Sequence, residues 1–185
     1  MSQTHLIAAL AALPCLRKVP TQAVAALASV CPVREFQTRD TVLVQGTDTD
    51  VAYLLIDGML EVSVQTQRTC HHITAIQPGE IVGESALFIA GVNRNATVLA
   101  HKPSRCLELR SESLSRLSGN PAIVALEMSL VAALSRRIRK TNLEIQSAWK
   151  ETHPEESRQD ASAGDEPRTF AGRLRTMFAG RGGQE

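Results

Sequence analysis

Glycine and proline punctuate the middle of this chain at short intervals. Breaks fall at Gly46, Gly58, Pro78-Gly79, Gly91 and Lys102-Pro103. Between them lie short runs rich in β-branched and large apolar residues. Seven runs read as strands: 33–36, 41–44, 52–56, 60–65, 72–76, 97–101 and 105–109. Many short strands between frequent turns point to a sandwich or jelly roll. Gly46 and Gly58 supply the positive φ that tight corners need.

Helical patterns flank the strands. Two short helices are expected at 4–13 and 21–30, the first closed by Pro14 and the second capped by Thr21, with Pro32 just past its end. Asn120-Pro121 opens a long helix, since Asn caps well and Pro suits the first turn. That helix runs to about Lys150, roughly 45 Å at 1.5 Å per residue. Val124, Val131, Ile138 and Ile145 recur at heptad spacing, and Glu127, Leu134, Thr141 and Ala148 fill the second seam position. β-branched residues at the first seam position favour a parallel two-stranded coiled coil, so a homodimer through this helix is expected. The alternative is a stripe that packs on the roll. The fold class is α+β: a β-roll with short N-terminal helices and a long C-terminal helix. The expected segments are 1–119 for the roll with its helices, 120–150 for the long helix, 151–168 for a polar disordered linker and 169–185 for a short basic tail. In the tail, Phe170, Leu174, Met177 and Phe178 lie at helical spacing among Arg173, Arg175 and Arg181. Residues 169–181 would thus form an amphipathic helix able to dock on a protein partner or an anionic membrane surface, the alternative being a frayed tail.

The run GEIVGESALFIAGVNRNATVLA, residues 79–100, carries the chemistry. Gly83-Glu84 precede one turn of apolar helix, Ser85, Ala86 and Leu87 among it, and Arg94-Asn95-Ala96 follow before a strand-like TVLA. A helix start offers unpaired N–H groups and partial positive charge to a phosphate. Arginine adds a planar fork that holds two phosphate oxygens. A carboxylate cannot bind phosphate, but it accepts a hydrogen bond from a sugar hydroxyl. Anion cradle and hydroxyl acceptor together describe a site for a ribose phosphate.

This run resembles the phosphate-binding cassette of cyclic-nucleotide-binding domains, the family of the kinase regulatory subunits and the bacterial catabolite activators. The matching residues are Gly83-Glu84-Ser85-Ala86-Leu87 and Arg94-Asn95-Ala96-Thr97-Val98. Phe36, Gly46, the run Tyr53-Leu54-Leu55-Ile56 and Gly58 stand where the family's roll has its turns and core strands. The resemblance implies that Glu84 takes the ribose 2′-hydroxyl and that Arg94 pairs with the cyclic phosphate. Amides around Ser85 to Leu87 would complete the cradle. It also implies that two adjacent polar residues of the long helix, here Thr141 and Asn142, cap the purine. A polar seam residue that only sets register is the alternative for Thr141. Val82 replaces the family's frequent Phe, and Asn95 replaces a small residue after the arginine. Kinases of the family that prefer cyclic GMP carry a Thr at that place. Its absence favours cyclic AMP over cyclic GMP, with cyclic di-GMP a third candidate. An unpaired arginine in a small pocket is costly without an anion, which argues against an empty site.

Other classes find little support. Net charge is +1, so the whole chain gives no electrostatic reason to expect nucleic acid. Helix-turn-helix relatives carry a further domain after the long helix, where a polar run stands here, so no direct DNA binding is expected. Cys15, Cys31, Cys70 and Cys106 are scattered without a C-x-x-C, and His71-His72 lack further ligands, so neither a metal nor a catalytic cofactor is expected. Reduced thiols, no apolar run of membrane length and no basic leader start point to a cytoplasmic protein. No nucleophile and base share a motif, so the chain does not read as an enzyme.

Overall fold

The computed structural model describes residues 2–89 and 91–152. The expected linker from residue 153 onward and the tail at 169–185 lie outside the described residues. The elements in order are α1 (Gln3–Ala12), α2 (Thr21–Val30), β1 (Val33–Phe36), β2 (Thr41–Leu43), β3 (Val51–Asp57), β4 (Leu60–Gln65), β5 (Cys70–Ile76), β6 (Ile81–Val82), α3 (Ser85–Phe88), β7 (Thr97–Ala100), β8 (Ser104–Arg110), α4 (Ser111–Ser115) and α5 (Pro121–Thr152). The strands form two antiparallel four-stranded sheets, ordered β1-β8-β3-β6 and β2-β7-β4-β5. This is a jelly roll of α+β class, as the turn spacing predicts. The chain divides into two compact units, Met1–Arg136 and Arg137–Glu185, with the boundary inside α5.

Strand β3 explains the layering. Its alternate residues Val51, Tyr53 and Leu55 join Leu60, Ile76, Val98 and Ala100 in the core between the sheets. Ala52, Leu54 and Ile56 face the other way, into a second core with Leu10, Leu27, Ile123 and Leu126 from the helices. Burial on both faces is why β3 reads as an unbroken apolar run rather than an alternating one. The turn after it needs Gly58 at φ +95°, where a Cβ would stand 2.3 Å from Ser104 Oγ and 2.5 Å from the Pro103 carbonyl oxygen.

Differences from the sequence reading are local. β6 has two residues and α4 five, too short to leave a period in the sequence. Thr21 is the first residue of α2 rather than its cap: Pro20 holds that place, and its carbonyl accepts from the Ala23 and Val24 amides. Asn120 Oδ1 accepts the Ala122 amide at 2.7 Å, an N-cap bond that starts α5. α5 continues to Thr152, past the expected end at Lys150. In the first unit, Ala122, Ile123, Leu126 and Leu130 of α5 are buried, whereas the heptad residues Val124 and Val131 are 50% and 58% exposed. The stripe that packs on the roll is therefore not the heptad stripe. In the second unit Ile138, Ile145 and Trp149 are also exposed.

Candidate functional site

Gly83 links β6 to α3 in the left-handed region, at φ +77°. A Cβ there would lie 2.8 Å from Leu43 Cδ1 and 3.0 Å from Arg94 Nη1. Glycine thus serves twice: it makes the turn, and it admits the arginine against the backbone. Arg94 stands shortly before β7. Its amide donates to the Thr47 carbonyl at 2.9 Å, and its own carbonyl accepts the Gly46 amide at 2.8 Å. The loop between β2 and β3 is stitched to Arg94 by these two bonds.

The Arg94 side chain is 7% exposed, one of two charged residues buried among those described. Nε donates to Thr49 Oγ1 at 2.9 Å and Nη1 to the Gly83 carbonyl at 2.9 Å. Nη2 donates to the Val51 carbonyl. These acceptors correct the expectation of an unpaired arginine: the chain itself satisfies three of the five guanidinium N–H groups. All three acceptors are uncharged, so they satisfy donors without neutralising the charge. Burial pulls Arg94 below the ordinary guanidinium value, opposed by neighbouring Glu84, Tyr53, Asp48 and Asp50. Each Nη carries one N–H beyond the bond named.

The remaining predicted residues take varied places. Glu84 is half-buried just before α3, and Ser85 is exposed. Ala86 and Leu87 are half-buried, and their amides donate to the carbonyls of Gly83 (3.3 Å) and Glu84 (2.9 Å). These two amides are thus engaged in the helical turn. Asn95 is exposed and Ala96 half-buried. Thr141 and Asn142 are exposed on α5, in the second unit. The structure brings Gly83 and Arg94 into direct contact and adds Thr49, which the sequence did not single out. Thr49 sits in the polar run Thr47-Asp48-Thr49-Asp50, which reads as an ordinary solvated loop.

Elsewhere, His71 and His72 separate. His71 Nε2 lies 2.7 Å from Thr69 Oγ1, and His72 Nδ1 lies 2.8 Å from Glu61 Oε1. Among the described residues, no group of three or more His, Cys, Asp or Glu is placed to hold a metal ion. The four cysteines form no disulfide. Burial pushes the Cys31 thiol up to about 11 and the Cys106 thiol up to about 12, with Glu108 and Asp57 respectively adding to the rise. No described helix is long and apolar enough to cross a membrane.

The segment that carries these residues has counterparts among known proteins. Residues 33–120 match the model of the cyclic nucleotide-binding domain. The chain is 29% identical over 119 residues to the cAMP-activated global transcriptional regulator of Pasteurella multocida, covering 63% of this chain and 56% of that protein. It is 30% identical over 104 residues to a cGMP-dependent protein kinase of Eimeria tenella, covering 56% of this chain and 10% of the kinase. The chain thus spans about half the length of the first relative and a small part of the second. Its fold resembles that of the Thermus thermophilus catabolite activator protein, with a TM-score of 0.62, 24% identity, and coverage of 75% of this chain and 64% of that one. Roll and sequence match converge on residues 33–120, the segment of this chain that is a cyclic nucleotide-binding domain.

Proposed function

We propose that this chain is a non-enzymatic sensor that binds a cyclic nucleotide, cyclic AMP before cyclic GMP or cyclic di-GMP. Glu84 takes the ribose 2′-hydroxyl, Arg94 the cyclic phosphate, and the backbone from Gly83 to Leu87 lines the phosphate side. Asn95 and Ala96 border the anion, and Thr141 and Asn142 meet the purine. One observation carries the reading. A buried guanidinium is held by three neutral acceptors against Gly83 and keeps an N–H on each Nη for an anion. Relatives that match this segment are named for activation by cyclic AMP or dependence on cyclic GMP, which supports the ligand class. Output passes through α5 and the tail to a partner, in a cytoplasmic homodimer joined along α5. The exposed Val124, Val131, Ile138 and Ile145 support that dimer. A ligand shifts such a system only by its difference in affinity for the two states of the helix.

Calorimetric titration with the three nucleotides tests this. One of them is expected to bind, with affinity reduced at least about tenfold in Arg94→Ala through loss of charge-assisted bonds. Glu84→Gln should weaken binding of the ribonucleotide more than that of its 2′-deoxy analogue. Silence for all three, in protein free of carried-over ligand, rejects the sensor. A second reading then takes its place: a ligand-independent docking platform, with residues 169–181 as its anchor. The observation on that reading's side is that three of the five N–H groups of Arg94 are already met inside the chain.

A further inference from the structure

We infer that Thr49 is the positioning residue of this site: its hydroxyl occupies the Nε side of Arg94, so that an anion is received end-on by Nη1 and Nη2. The choice of ligand rests on the nucleotide reading above; the lock itself rests on the geometry alone. A guanidinium has two forks that can take two oxygens side by side, the Nε edge and the Nη1–Nη2 edge. Thr49 Oγ1 accepts from Nε at 2.9 Å and so closes the first. The Gly83 and Val51 carbonyls each hold one Nη, which fixes the plane of the group. With the single Nε–H taken, the Nη1–Nη2 edge is the one that can still offer two N–H groups side by side.

The loop that carries Thr49 is itself built to hold still. Its start is tied to the strand after Arg94: the Gln45 amide donates to Thr97 Oγ1 at 3.1 Å. Its middle takes the two backbone bonds between Arg94 and Gly46 and Thr47. Its end is tied by Asp50, whose Oδ1 accepts from Arg110 Nη1 at 2.6 Å. Arg110 in turn donates from Nε to the buried Glu108 at 2.8 Å. Thr49 therefore presents its hydroxyl from a loop fastened on both sides, and the arginine meets a ligand without first losing side-chain freedom. Groups ordered in advance bind more tightly because less entropy is lost on binding.

Two readouts test the lock. In the unliganded full-length protein, the Arg94 Nε–H should give a slowly exchanging signal in nitrogen-resolved nuclear magnetic resonance. That signal should persist in Thr49→Ser, which keeps the hydroxyl, and be lost in Thr49→Val, which keeps the shape. For the nucleotide that the wild type binds, Thr49→Val should weaken affinity about tenfold, and Thr49→Ser by no more than about twofold. A fast-exchanging Nε–H in the wild type overturns the inference without any variant. Wild-type affinity in Thr49→Val overturns it as well, while leaving the sensor intact. If the wild type binds none of the three nucleotides, the sensor reading falls, and exchange of the Nε–H alone decides whether Thr49 holds the arginine.

Discussion

At the scale of single residues, Arg94 has two tasks that pull an experiment in two directions. In the proposed complex it binds phosphate. In the structure it also joins the cassette at Gly83, the start of β3 at Val51, and the preceding loop at Thr49. Truncation removes all three bonds and leaves polar acceptors in a place that is almost fully buried. Each unsatisfied buried group costs about 1–3 kcal/mol, offset where water can enter the space vacated. Arg94→Ala is therefore expected to lower the thermal midpoint by several degrees with no ligand present, measured by scanning calorimetry. An arginine reserved for ligand would leave the unliganded midpoint where it is. Arg94→Lys should retain charge but not the three-way bonding, and so recover little of the loss. Affinity measurements on either variant need this stability change measured beside them.

At the scale of elements, α5 carries two apolar stripes with different work. Ala122, Ile123 and Leu126 are buried in the core shared by the helices and the outer face of the first sheet, and Leu130 is buried as well. Val124, Val131, Ile138 and Ile145 are 50–61% exposed. A helix with a second apolar stripe left in water has a surface to cover. Leu126→Ala should cost about 2–5 kcal/mol of folding stability, read from the denaturant midpoint. Ile138→Glu should leave the midpoint of the first unit almost unchanged and abolish self-association in sedimentation equilibrium. Self-association that survives Ile138→Glu would remove the coiled coil from the proposal. The heptad positions were legible in the sequence because period alone defines them. The inner stripe was not, because its residues differ from the heptad set only in what they meet.

At the scale of the whole molecule, the fold was legible because its punctuation is local. Glycine at a positive-φ corner such as Gly58 is fixed by a neighbour's backbone, and such corners divide the chain into strands. The Gly83-Glu84 and Arg94 elements were legible because eleven residues separate the contacting pair, all within one motif. Thr49 was not, because its contact with Arg94 spans 45 residues and only folding brings the loop there. The same holds for the second buried charge. Glu108 accepts from Arg34 Nε at 2.6 Å and Arg110 Nε at 2.8 Å, and Arg110 reaches on to Asp50. This line of charges crosses from β1 through β8 to the loop that bears Thr49. Burial pushes the Glu108 carboxyl up, but the two guanidinium groups together outweigh it and hold the carboxyl below its ordinary value of 4.5. The unfolded chain then takes up this proton at a higher pH than the folded one. The stabilisation is complete above the ordinary carboxylate value and is lost as pH falls through the lower folded value. Urea unfolding of the wild type should thus show a falling midpoint below about pH 4.5, steeper than in Glu108→Gln. The variant should be less stable at pH 7, since it leaves Arg34 and Arg110 without their carboxylate, and its profile should be flatter in acid. Equal slopes in the two proteins would assign the acid sensitivity to other carboxylates and leave Glu108 a packing role. If the network also sets the posture of the loop, Glu108→Gln should speed exchange of the Arg94 Nε–H at neutral pH, linking the buried charge on one sheet to the arginine of the site.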